Sequence, residues 1–143
     1  MTIIAYRDGI LAADTFVWSG SITIGTTTKI IKAPDGWMAG TAGDSYAGEC
    51  FRRWVMNRRT PEWSNDIENF TGLLIDPNGN VLSYDSKYKG PSHAIASFYA
   101  IGSGYEVAIG AMSAGASAEE AARIAIERCS HCGGMIDVLK LTE

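Results

Sequence analysis

The sequence predicts an α+β fold in which two β-sheets pack face to face with helices outside, a four-layer αββα sandwich. Three observations predict it. Turn signals at Asp8-Gly9 and at Asp76-Pro77-Asn78-Gly79 each separate two short apolar runs, the pattern of antiparallel hairpins. The helical segments do not alternate one by one with strands, so no βαβ unit is called for. Late in the chain, Ser117-Ala118-Glu119-Glu120 is a capping box that opens an Ala- and Glu-rich helix. The 143 residues amount to a single domain, 1–143.

Element by element, Thr2 to Tyr6 is rich in β-formers, and Ile10-Leu11-Ala12-Ala13 answers it across Asp8-Gly9, with Asp14 ending the second strand. Trp18-Ser19-Gly20-Ser21 reads as a loop. Lys29-Ile30-Ile31-Lys32 is a short strand and Pro34-Asp35-Gly36 a turn. A strand of small residues, Trp37 to Ala42, then ends at Gly43. A helix starts near Asp44 or Ser45, either of which suits the cap, and buries Cys50, Phe51, Trp54 and Val55 at helical spacing. Pro61 closes that region, and Glu62 to Asn69 is polar, a loop or a short helix.

The second hairpin pairs Gly72–Ile75 with Val81–Tyr84. A strand follows over His93–Tyr99, then Ala100-Ile101-Gly102-Ser103-Gly104 and a small-residue helix over Tyr105–Met112. The capping box begins the last helix, which runs through Arg128. Gly133-Gly134 ends this region, and Met135 to Leu141 alternates as a final strand.

Composition narrows the function classes. Hydrophobic residues make up 46% and charged residues 20%, as in ordinary globular proteins. The net charge of -4 gives no reason to expect nucleic-acid binding. No apolar run reaches the ~20 residues that span a bilayer. The N-terminal segment lacks the basic stretch, apolar stretch and cleavage site of a signal peptide, so a cytoplasmic location is expected. The basic cluster Arg52, Arg53, Arg58 and Arg59 reads as a solvated helix face. Cys50, Cys129 and Cys132 are an odd set and do not form a disulfide framework. Cys129-Ser130-His131-Cys132 offers too few ligands for a zinc site, with Cys50 and His93 distant, and its cysteines read as small buried hydrophobes.

An ordered set of landmarks carries a resemblance over nearly the whole chain. They are Thr2-Ile3-Ile4, Asp8-Gly9, Ala12-Ala13-Asp14, Lys29-Ile30, Thr41-Ala42-Gly43-Asp44, Ile101-Gly102-Ser103-Gly104, the helix from Ser117, and Gly133-Gly134-Met135-Ile136-Asp137-Val138. In this order they resemble the proteasome β-subunit family of N-terminal-nucleophile hydrolases. The set is also similar to the peptidase subunit of the bacterial ATP-dependent two-component protease and to short proteasome-like proteins of phage genomes. The chain is shorter than typical members, and the missing length falls between Arg59 and Gly72, where the family has a second long helix.

The resemblance implies a threonine-type peptidase or amidase. A threonine hydroxyl needs a base, and an N-terminal α-amine, with a reference pKa of about 8, can act as one through a bridging water. A lysine ammonium keeps that amine neutral, an aspartate holds the lysine, and a glycine N–H stabilises the oxyanion. By resemblance, Thr2 is the nucleophile after removal of Met1, Asp14 the lysine partner, Lys29 the activating cation and Gly43 the oxyanion donor. Ser103 is a hydrogen-bonding partner near the terminus, and Thr41 is a wall of the substrate pocket.

Aligned end to end with the family's Thr-Thr start, however, the frame reads Met1-Thr2-Ile3-Ile4. That register puts Met1 in the nucleophile's place and turns the Thr2 hydroxyl away, whereas a shortened turn in the first hairpin, which is shorter than the family's, would bring Thr2 back to the site. Cys129 and Cys132 stand where the family often has a supporting aspartate and serine, and thiols are poor substitutes for them. The alternative to hydrolysis is an inactive relative serving as an assembly, binding or ligand-sequestering module, of phage origin in one reading. Neither cofactor nor metal is implied. Homo-oligomerisation, a peptide substrate and a separate ATPase partner are implied, the last because no nucleotide-binding loop is present. The location that goes with this is the cytoplasm of a bacterium or a phage-infected host cell.

Overall fold

In a computed structural model, which describes residues 2–64, 66–85, 88–93 and 97–142, Asp8 and Gly9 take φ of 51° and 79°. Two successive left-handed residues are what a two-residue hairpin turn requires. In chain order the strands begin with β1 (Ile4–Arg7), β2 (Ile10–Ala13), β3 (Phe16–Ser19), β4 (Ile22–Thr26), β5 (Ile30–Lys32) and β6 (Met38–Gly43). Helix α1 (Ser45–Met56) comes next, then β7 (Phe70–Ile75), β8 (Val81–Asp85), β9 (Tyr88–His93) and β10 (Phe98–Ile101). Helices α2 (Tyr105–Ser113) and α3 (Ala118–Arg128) and strand β11 (Asp137–Lys140) complete the chain.

The strands form a four-stranded sheet, β10-β1-β2-β11, and a five-stranded sheet, β5-β6-β7-β8-β9, with β3-β4 apart as a two-stranded ribbon. Pairing is antiparallel throughout. Side-chain alternation sorts the core into three layers. Ile3, Ala5 and Ala12 pack toward α2 and α3. Ile4, Tyr6, Leu11 and Ala13 meet Ile30, Met38, Leu73 and Ile75 of the other sheet. On the far side of that second sheet, Ala39, Leu74 and Tyr84 pack against Ala47, Phe51 and Val55 of α1. The predicted αββα sandwich is therefore the observed architecture.

Helix α3 approaches its sheet closely because Ala118, Ala121, Ala122 and Ala125, at helical spacing, are all buried. Its capping box forms: Ser117 Oγ accepts from the Glu120 N–H at 3.1 Å, and Glu120 Oε1 accepts from the Ser117 N–H at 3.1 Å. Asp44 is the cap of α1, accepting from the Ala47 N–H at 2.9 Å. Between α1 and β7 the chain forms no further helix among the described residues, so Trp54 and Trp63 cover Phe51, with ring centroids 5.4 and 5.1 Å from it.

Two expectations change. Of the predicted loop at Trp18–Ser21, Trp18 and Ser19 are the end of β3, and Gly20-Ser21 alone make the turn of the β3–β4 hairpin, with Gly20 at φ 58°. Its strands gave no inside-outside signal because Ile22 and Ile24 lie exposed at 69% and 66%. The strand expected over 93–99 is instead the end of β9 and the start of β10, and 94–96 lie outside the described residues.

Candidate active site

Asp14 follows β2 and is fully buried, so its carboxylate needs partners. It has them. Oδ1 accepts from the Ile3 N–H at 3.0 Å and from Lys29 Nζ at 2.9 Å. Oδ2 accepts from the Gly133 N–H at 3.1 Å. Gly133 reaches this point because its carbonyl accepts from the Thr15 and Phe16 N–H groups at 3.0 and 3.1 Å. Lys29 is 6% exposed and leads into β5, and its carbonyl accepts from the Thr41 N–H of β6 at 3.3 Å. The Asp14–Lys29 pair is thus a buried ion pair fastened to three separate backbone segments.

Thr2 is held from the other side. Its N–H donates to Ser103 Oγ at 3.2 Å, and its carbonyl accepts from the Gly104 N–H at 3.2 Å and from Ser103 Oγ at 3.4 Å. Gly102 makes this approach possible. Its φ is 97°, and a Cβ there would lie 2.2 Å from the Thr2 carbonyl oxygen. Gly43, at φ 98°, ends β6 where the chain turns into α1, and the next N–H, of Asp44, donates to the Asn69 carbonyl at 2.6 Å. The N-terminus of α1 adds a partial positive charge at this point.

Two clefts meet at Thr2 and Gly43. The larger, of about 650 Å³, also includes Ser103, Asn69, Asp85 and Tyr105. The smaller, of about 300 Å³, includes Lys29, Thr41, Asp44, Trp18 and Arg52. The structure therefore brings Thr2, Lys29, Thr41, Gly43 and Ser103 to one place, with Asp14 buried behind Lys29.

The end-to-end register does not hold. Met1 itself lies outside the described residues, but the hairpin turn sets the pairing. Ile4 faces Ala13, and Ile3 exchanges hydrogen bonds with Asp14 through its N–H and carbonyl. Both strands of the hairpin are short, so counting from the turn rather than from the chain end puts Thr2 just past Asp14. It shares the face of Ile4 and Tyr6, toward the space between the sheets, and lines both clefts instead of turning away.

Cys132 is buried, with its Sγ 3.8 Å from Ser103 Oγ. Burial, and then the charge of Asp14, push its thiol up to about 11, so it stays neutral. Cys129 is half-buried as the C-terminal cap of α3. Among the described residues no group of three or more His, Cys, Asp or Glu is placed to hold a metal ion. The His93 side chain lies outside the described residues.

The solvated-face reading fails for two arginines. Arg53 and Arg58 are exposed, but Arg59 stacks over Trp37 at 4.3 Å and pairs with Asp35, while half-buried Arg52 donates to Thr41 Oγ1 in the smaller cleft. Helical spacing alone did not single out Arg52, because its neighbour in space, Thr41, lies on a different element. Gly102 and Gly133 were legible in the sequence as landmarks of the resemblance, and Gly133 also as the end of the last helical region, but nothing local gave either a role in the site.

No protein-family model and no curated protein sequence matches the chain. Solved structures do. Thiobacillus denitrificans BPH, solved alone and in complex with epoxomicin, superposes with TM-scores of 0.68 and 0.67 at 20% identity. The alignments cover 99% of this chain and 98% or 99% of that one. HslV from Trypanosoma brucei superposes with a TM-score of 0.72 at 19% identity, covering 96% of this chain and 97% of that one. Among the described residues no helix is long and apolar enough to cross a membrane. The αββα sandwich described above is thus the fold of the proteasome-type subunits.

Proposed function

We propose that the chain is a threonine-type N-terminal-nucleophile hydrolase that cleaves peptide or other amide bonds through Thr2 once Met1 is removed. The observation that carries this reading is the Thr2 backbone nitrogen, 3.2 Å from Ser103 Oγ at the junction of two clefts that Lys29 and Gly43 also line. After removal of Met1 that nitrogen is an α-amine. Through a bridging water it takes the hydroxyl proton as Thr2 Oγ bonds to the substrate carbonyl carbon. The carbonyl electrons move to an oxyanion facing the Gly43 N–H and the start of α1. Collapse of this intermediate breaks the C–N bond, and the leaving amine takes the proton from the α-ammonium. Water then hydrolyses the ester and restores the Thr2 hydroxyl. Lys29 disfavours protonation of the α-amine, and Asp14 holds Lys29 in place.

The test uses epoxomicin, the ligand of the similar Thiobacillus protein, together with the intact mass of the chain. The expected result is loss of Met1 and a covalent adduct on Thr2 that Thr2→Ala abolishes. A chain beginning at Thr2 that takes up no probe and turns over no peptide overturns the reading. That result favours an assembly or binding module of the same fold, which the neutral Cys132 thiol beside Ser103 supports. The proposal extends to a homo-oligomer, served in the cytoplasm by a separate ATPase. Light scattering coupled to gel filtration is expected to give a mass several times that of one chain.

A further inference from the structure

We propose that Arg52 makes the smaller cleft a receptor for an acidic side chain, so that the substrate residue whose carbonyl is attacked is glutamate or aspartate. This rests on the hydrolase reading above and names its substrate class.

The guanidinium is half-buried, and desolvation pulls its pKa below the ordinary arginine value, a sign that its charge is poorly compensated. Among the described residues it forms no ion pair. Its one hydrogen bond goes to a neutral group, Thr41 Oγ1, on the wall of the cleft. Two carboxylates stand nearby and neither neutralises it at contact. Asp44 is occupied in capping α1, and Glu49 is bridged to Arg53. The third cation of the neighbourhood, Lys29, is matched by Asp14. A guanidinium has five donors in a planar fork, and one Thr41 bond leaves most of them for a ligand.

The route into the cleft is built for this side chain. Position 48, one turn before Arg52 on α1, is glycine. A Cβ there would lie 2.7 Å from Thr41 Oγ1 and 3.2 Å from Arg52 Nη1. Any larger residue would force apart the contact that holds the guanidinium in the cleft. The cleft also includes Thr2 and Gly43, so a side chain attached next to the reacting carbonyl enters it directly. The remainder of the peptide then has the larger cleft. A substrate carboxylate meeting Arg52 forms a charge-assisted, bidentate pair in a partly dry site, which discriminates strongly against a neutral side chain of similar size.

The experiment compares three peptide epoxyketones identical except at the residue bearing the reactive carbonyl: glutamate, glutamine and leucine. Labelling of Thr2 in the mature chain is followed by mass spectrometry. The expected result is labelling roughly tenfold or more faster with glutamate than with either neutral probe. In Arg52→Gln the ratio falls to about one, in Arg52→Lys it recovers in part, and in Gly48→Ala it drops. Thermal melts of each variant confirm folding. If leucine or glutamine labels as fast as glutamate, the acidic preference is wrong while the hydrolase reading stands. If no probe labels Thr2, the hydrolase reading fails and takes this inference with it. A glutamate preference that survives intact in folded Arg52→Gln overturns the assignment to Arg52.

Discussion

Asp14 and Lys29 are each nearly useless without the other. Their side chains are 0% and 8% exposed and share one 2.9 Å contact. Removing either charge takes this buried counter-charge from the other, which costs about 3–5 kcal/mol. We therefore expect Asp14→Asn and Lys29→Met each to lower the urea midpoint markedly and to end Thr2 labelling. The double variant is expected to be less destabilised than the sum of the two. Cys132 gives a pH-dependent case. Its thiol titrates at about 11 in the folded chain against an ordinary value of 9.0. The folded state prefers the neutral thiol, so that contribution is full below pH 9.0 and fades as pH rises toward about 11. Cys132→Ala is expected to flatten that part of the melting temperature profile relative to the parent chain. An unchanged alkaline slope would count against the buried thiol as its source.

Elements set these residues in place. The β1–β2 hairpin turn decides the register and so decides which residue stands beside Ser103. Gly102, in the connection from β10 to α2, allows the Thr2 carbonyl to approach. Gly102→Ala puts a methyl where that oxygen lies, at a φ that alanine resists. It is expected to slow Thr2 labelling at least as much as it lowers stability, as read by parallel labelling and melts. Helix α3 is a purely structural counterpart. Ser117→Ala removes one half of its capping box and is expected to cost about 1 kcal/mol in urea unfolding with labelling intact.

At the scale of the molecule, one sheet carries α2 and α3 while the other has α1 and an aromatic cover. Phe51 is the centre of that cover. It is 0% exposed, with Trp54, Trp63, Phe70 and Tyr84 rings within 5.1 to 5.5 Å. Its ring also lies over Gly72, where a Cβ would come within 2.8 Å. Phe51→Ala is expected to cost about 3–5 kcal/mol in denaturant unfolding, because the rings around it cannot all collapse into the void. The site depends on this remote packing, since Gly43 and Thr41 are on a strand clamped between α1 and the inner core.

The sequence by itself determined the sandwich. Turn dipeptides, a capping box and helical spacing are local signals, read within a few residues of one another, and they placed the helices and most strands. It also named Asp14, Lys29, Thr41, Gly43 and Ser103 by resemblance. Only the tertiary structure decided that Thr2 faces the clefts, because strand register is set by the turn and by pairing, not by position from the chain end. Only it separated Arg52 from the solvated arginines, because the contact that buries its guanidinium spans 11 residues and two different elements. Burial and long-range proximity are properties of the packed chain, and no local pattern encodes them.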